Sequence, residues 1–267
     1  MSRLQTVLAG LRTAGRAGLA TYFTAGDPGY RDCLDLLKRL PAAGADVIEL
    51  GMPFSDPLAD GPVLQSANQR ALRAGQTMGR TLEMVEAFRD HDGDTPLVLM
   101  GYFNPVLRYG VPRFVADAAR AGVDGVILVD LPVDHADEID RHAREHRLDV
   151  IRMSAPTTPD DRLDAILGSA SGFVYHVMLA GTTGAALPPD EEIAGSLRRV
   201  TARARLPIAA GFGVRSAQQA SAVGRHADLV AVGSRLVQVL AEEGADAAVE
   251  AVRRLSRAVR ETAGTRE

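Results

Sequence analysis

The chain has 267 residues, 46% of them apolar and 24% charged, with a net charge of −4 and a pI near 5.9. That composition supplies a large hydrophobic core, and acids and bases are interspersed rather than gathered into the basic stripe of a nucleic-acid binder. The single cysteine, Cys33, excludes an internal disulfide and a cysteine-rich zinc site. With no apolar leader and no run of about 20 apolar residues, a cytoplasmic protein with no membrane contact is expected.

In chain order, Leu4, Val7, Leu8 and Leu11 repeat at helical spacing, which predicts an extra N-terminal helix laid over one end of the fold. Short runs rich in Val, Ile, Leu and Ala follow at 19–23, 46–50, 97–101, 125–129, 149–153, 173–177, 207–210 and 229–232. None shows the alternation of a strand with one wet face; continuous apolar runs suit parallel strands buried on both sides. Between them lie helical stripes such as Leu34, Leu37 and Leu40, with Cys33 at a core position, and Leu82, Val85 and Phe88. A third stripe, Phe114, Ala118 and Ala121, stops at Gly122. Ala-Gly-Ala-Asp at 43–46 and Ala-Gly-Val-Asp at 121–124 repeat one helix-to-strand turn. Strand and helix alternating in this way predict a single (β/α)8 TIM barrel over residues 1–267. An open doubly wound sheet is the competing architecture, but the Gly-x-Gly-x-x-Gly turn it requires after the first strand is missing.

In such a barrel functional groups gather just after each strand. The first strand leads to Gly26-Asp27-Pro28. The second contains Glu49 and opens a loop carrying Asp56 and Asp60, stiffened by Pro53, Pro57 and Pro62. A carboxylate in an otherwise apolar strand is costly unless paired or functional, so Glu49 is either salt-bridged in the barrel mouth or an acid–base group. The third and fourth strands lead to Tyr102, Asn104 and Asp130, the last placed to support its neighbours by hydrogen bonding. Alternation turns Tyr175 into the barrel and His176 outward under the helices. Gly184, Gly213, Gly233 and Ser234 follow the last three strands. Each glycine alone reads as a turn; together on one face, with Ser234 opening a helix, they suit a phosphate. Lys38, the only lysine, falls in a helix away from this face, and the histidines are dispersed, so Schiff-base and metal aldolase chemistry are set aside. Acid–base catalysis by carboxylates without a metal remains.

The stretch Glu-Leu-Gly-Met-Pro-Phe-Ser-Asp-Pro-Leu-Ala-Asp-Gly-Pro at 49–62, with Gln65, resembles the signature of the tryptophan synthase alpha subunit family. Gly26-Asp27-Pro28, Tyr102-Phe-Asn-Pro105, Val129-Asp130-Leu-Pro132, Ala155-Pro156-Thr157, Thr183-Gly184, Gly211-Phe-Gly213 and Gly233-Ser234 extend the resemblance over nearly the whole chain. It implies a lyase that cleaves indole-3-glycerol phosphate to indole and glyceraldehyde 3-phosphate by a retro-aldol reaction. By the same resemblance Glu49 is the general acid–base group and Asp60 holds the indole N–H. Tyr22, Leu64, Met100, Ile127, Val129, Met153 and Phe212 pack the indole, with Tyr175 at the border. Thr183 closes the loop after the sixth strand over Asp60, and Gly184 joins the phosphate contact. No cofactor is implied in this chain; pyridoxal phosphate belongs to a β subunit that receives the indole and touches the loop around Asp56 in an α2β2 complex. Where the family usually reads Ser-x-x-Gly-Val-Thr-Gly-x-Arg, this chain has Met178 at the serine and Ala186 at the arginine. Two alternatives stay open: an unpartnered lyase that releases indole, and an activating partner of a β-like subunit.

Overall fold

The computed structural model describes residues 2–178, 189–211 and 213–261. Its strands are β1 (Gly18–Thr24), β2 (Val47–Gly51), β3 (Leu97–Gly101), β4 (Gly125–Leu128), β5 (Asp149–Ser154), β6 (Val174–Val177), β7 (Ile208–Gly211) and β8 (Leu229–Val232). They form one closed parallel barrel in chain order, and β1 seals it by pairing with β2 on one side and β8 on the other. Each strand lies within about two residues of the apolar run that predicted it. The outer layer holds α1 (Arg3–Thr13), α2 (Tyr30–Ala43), α3 (Pro62–Arg73), α4 (Met78–Arg89), α5 (Phe103–Tyr109) and α6 (Val111–Ala121). It continues with α7 (Asp137–His146), α8 (Asp160–Ser169), α9 (Asp190–Thr201), α10 (Ala217–Gly224), α11 (Ser234–Glu243) and α12 (Ala245–Arg260). Among the described residues no helix is long and apolar enough to cross a membrane.

Alternate strand residues fill the barrel. Ala20, Val98, Ile127, Ile151, Phe173 and Leu229 pack together inside it, and Leu4, Leu8 and Leu11 of α1 join the same cluster. The N-terminal helix therefore plugs the bottom, as its amphipathic spacing predicts, and a Ser2–Gln5 capping box fixes its start. A second, larger cluster lies between the strands and the outer helices and includes Phe23, Leu36, Phe88 and Phe114. Cys33 is fully buried there, and burial pushes its thiol up to about 12, leaving it inert. His176 faces this outer layer, hydrogen-bonded to Ser154 Oγ at 3.0 Å and Ser196 Oγ at 2.8 Å. Burial drives its pKa down to about 4, so the ring is neutral.

The repeated Ala-Gly-x-Asp turn has a physical basis. Gly44 and Gly122 end α2 and α6 in the left-handed conformation that glycine tolerates. The aspartate after each turn ties one strand to its neighbour: Asp46 accepts the N–H of Leu19 at 2.9 Å and Asp124 that of Leu97 at 2.8 Å. Asp124 also pairs with Arg89 at 2.6 Å and Arg3 at 3.1 Å. Its loss would strand Arg89, whose side chain is only 10% exposed. Asp124→Ala is expected to lower stability by about 3 kcal/mol in urea denaturation, because one member of a buried pair is left without its counter-charge. A loss under about 1 kcal/mol would show that this pair does not hold the strand start.

Candidate active site

Glu49 lies in the middle of β2, opposite Tyr22 of β1, and lines a cavity at the C-terminal mouth of the barrel. It is 1% exposed, its Oε1 has no hydrogen-bond partner, and burial alone pushes its carboxyl up to about 8. At neutral pH it is mostly protonated. Tyr22 and Tyr175 stand beside it, both held far above the usual phenol range by burial first, with neighbouring acids adding to the effect. Two glycines make room for these rings. A Cβ at Gly51 would collide with the Tyr22 hydroxyl, and one at Gly211 with the Tyr175 hydroxyl.

Asp60 reaches the same cavity from the loop between β2 and α3. Its carboxylate accepts a hydrogen bond from Asn68 Nδ2 at 3.2 Å and another from the Tyr102 hydroxyl. Burial raises its pKa to about 6, with those two donors working against the rise. Asn68 and Tyr102 also hold the loop itself. Asn68 Oδ1 accepts the N–H of Phe54 at 3.0 Å, the Tyr102 hydroxyl accepts the N–H of Ala59 at 3.0 Å, and the rings of Phe54 and Tyr102 pack at 5.4 Å. Behind the loop, Arg70 of α3 grips the buried Asp27 through two bonds of 2.7 Å, which accounts for the Gly26-Asp27-Pro28 motif. Asp130 accepts the N–H of Phe103 at 2.7 Å, the supporting role expected of it.

The part of the cavity over β7 and β8 is lined by Gly213, Gly233 and Ser234, joined by Arg215 and Arg235. Gly213 adopts φ 90°, a region open to glycine, and Ser234 is the first residue of α11. The structure thus brings Tyr22, Glu49, Asp60, Leu64, Met100, Val129, Tyr175, Gly213, Gly233 and Ser234 around one space. It does not bring Ile127 or Met153 to that space. Ile127 is fully buried one step deeper in the barrel, two residues below Val129, and Met153 faces an adjoining cavity that it shares with Val129 and Arg152. Asp56 is exposed on the outer part of the loop, away from the cavity. Phe212, Thr183 and Gly184 lie outside the described residues.

Tyr102, expected at a strand end, lines it too, as do Met52, Asn68, Arg215 and Arg235, which sequence reasoning did not assign to the site. Asn68 carried a readable signal. It is an amide in the apolar stripe Leu64, Ala67 and Ala71 of α3, where a buried polar group needs a partner.

Two carboxyls face one cavity at the end of a (β/α)8 barrel, one neutral and one ionised near pH 7, an arrangement suited to an enzyme that uses acid–base chemistry. Residues 8–265 match the model of the tryptophan synthase alpha chain family, and the chain belongs to that family. It is accordingly a lyase of tryptophan biosynthesis. The tryptophan synthase subunit alpha of Legionella pneumophila is 36% identical, with a TM-score of 0.92 over 98% of this chain and 99% of that one. The structure of Mycobacterium tuberculosis tryptophan synthase gives 39% identity and a TM-score of 0.91, covering 97% of this chain and 98% of that chain.

The burial of Glu49 has a consequence for stability. Its folded pKa lies above the ordinary carboxylate value, so the folded protein binds this proton more tightly than the unfolded chain does. The stabilisation is complete in acid and is lost as pH rises toward about 8. Glu49→Gln removes the titration. Its melting temperature is expected to match the wild type within about 1 °C near pH ~4 and to exceed it by about 2–5 °C near pH ~9. A gap that does not widen with pH would mean that Glu49 is not a desolvated carboxyl.

Proposed function

We propose that Glu49 and Asp60 carry out the retro-aldol cleavage of indole-3-glycerol phosphate to indole and glyceraldehyde 3-phosphate, the whole chain acting as one barrel domain. The observation that carries this assignment is the buried carboxyl of Glu49, with one oxygen unpartnered at the wall of the cavity. The two acids have separate states because their surroundings differ: Glu49 has burial alone, while Asp60 has two donors to its carboxylate.

Protonated Glu49 gives its proton to C3 of the indole. Ionised Asp60 accepts a hydrogen bond from the ring N–H and stabilises the positive charge that forms there. The carboxylate of Glu49 then takes the proton of the side-chain hydroxyl. The carbon–carbon bond breaks, its electron pair returns to the indole ring, and the hydroxyl carbon becomes the aldehyde. Glu49 ends protonated, ready for the next turnover. The ring lies against Tyr22, Leu64, Met100 and Val129, and the phosphate sits on the N–H groups of Gly213, Gly233 and Ser234.

The partner is a β subunit that carries pyridoxal phosphate and takes up the indole, in an α2β2 complex of the cytoplasm. Support comes from two large apolar side chains left in solvent, Leu58 at 87% exposure in the Asp56 loop and Leu107 at 55% on α5.

Indole release from indole-3-glycerol phosphate tests the chemistry. Glu49→Gln is expected to cut kcat by about a thousandfold or more while substrate binding changes by less than about threefold. The wild-type kcat/KM profile should be bell-shaped, rising through about 6 as Asp60 ionises and falling through about 8 as Glu49 loses its proton. Asp60→Asn should abolish the acid limb and slow the reaction by about a hundredfold or more. Ordinary turnover by the Glu49 variant would remove that residue from the proton transfers. For the partner, Leu58→Asp should weaken association with a purified β subunit at least tenfold in sedimentation velocity. Unaltered association would place the interface elsewhere.

A further inference from the structure

Asn68 sits in the middle of α3 and is buried, at a position where asparagine is a poor helix former and its amide needs partners. It finds three. Oδ1 accepts the N–H of Phe54 at 3.0 Å, while Nδ2 donates to the carbonyl of Leu64 at 2.9 Å and to Asp60 Oδ2 at 3.2 Å. The amide has only one workable orientation. Turned over, its oxygen would face a carboxylate and a carbonyl, and its nitrogen would face an N–H. A strut for the loop is the plain explanation, and the bond to Phe54 fits it. That bond needs only an acceptor, which an aspartate would supply equally well. The donor to Asp60 is a second use of the same side chain. An amide meets both needs at once without adding a charge beside the acid.

We propose that Asn68 is a positioning residue for the reaction: by holding Oδ2 it fixes the direction in which the Asp60 carboxylate is turned, so that the acid meets the ring N–H of the substrate already aligned. The inference rests on the role proposed for Asp60 and adds a residue that acts only through it. A loop acid held at one point could still rotate and would have to be ordered at each turnover. Tyr102, from the end of β3, supplies the other donor, and its hydroxyl also accepts the N–H of Ala59. The carboxylate is therefore gripped from two separate elements. α3 is itself anchored two residues further on, where Arg70 pairs with the buried Asp27. Asp60 thus sits on a loop but takes its orientation from rigid parts of the barrel.

A double-mutant cycle tests this. Asn68→Leu keeps the volume and removes the amide, and should lower kcat/KM for indole-3-glycerol phosphate about tenfold or more. In the Asp60→Asn background the same change should cost less than about twofold, because its target is already gone. A strut would cost the same in both backgrounds. A carbon-13 NMR titration of the Asp60 carboxyl reads the contact without substrate. Tyr22 and Tyr102, which face Asp60 from β1 and β3, stay protonated through the neutral range, and Glu49 of β2 titrates near 8. In the leucine variant the Asp60 titration should move up from about 6 by about one pH unit, since a donor to the charged form is lost while burial remains. A loop that merely came loose would let water in and move it down. Equal losses in the two backgrounds, or a titration that stays or falls, would overturn the proposal. If the leucine variant does not fold, Asn68→Ser, a smaller change that also lacks the amide donor, is read in the same way. Wild-type turnover with equal losses sinks only the role of Asn68. A rising titration without wild-type turnover sinks the lyase assignment and leaves the hold of Asn68 on Asp60 standing.

Discussion

Glu49 is a carboxyl with no donor and almost no contact with water, and the mouth of the barrel is organised around tolerating it. A group in that state keeps its proton to about 8, and that is the proton the proposed cleavage calls on. The arrangement works against stability above neutral pH, so the rest of the fold has to hold the strand that carries it. Much of that support comes from the opposite end of the barrel, where Asp46 and Asp124 accept N–H groups of neighbouring strands and pair with arginines. α1 closes that end with leucines, which keeps water from entering beneath the site. Stability at the bottom and reactivity at the top are thereby carried by separate residues.

The barrel was legible because its strands are buried on both faces, so apolar runs mark them directly, and because glycine stops such as Gly44 and Gly122 punctuate the helices. The two acids were legible as well, Glu49 by its apolar strand and Asp60 by its stiff loop. Depth was not legible. Alternation says that Ile127 and Val129 both point inward, but height in the barrel depends on how far each strand is staggered against its neighbour. Met100 pairs in register with Ile127, yet only Met100 reaches the cavity, because Ile127 is covered inside the barrel. Nor does local pattern reveal contacts made across the fold. Arg70 meets Asp27, and Asn68 meets the backbone of Phe54, only once α3 has packed beside the loop.

The lining of the cavity is asymmetric before any substrate enters it. One end is acidic and largely desolvated; the other is cationic and rich in N–H donors. Asn68 and Tyr102 keep the acidic end from behaving as a single unit. Their donation to Asp60, with its shallower burial, keeps its pKa near 6, while Glu49, deeper and with no donor, stays near 8. Between those values one carboxyl is charged and the other is not. In the proposed cleavage that difference suits one side chain to stabilise a cation on the ring and the other to deliver a proton to it. The division of labour thus arises from unequal burial of the two acids together with the placement of two hydrogen-bond donors.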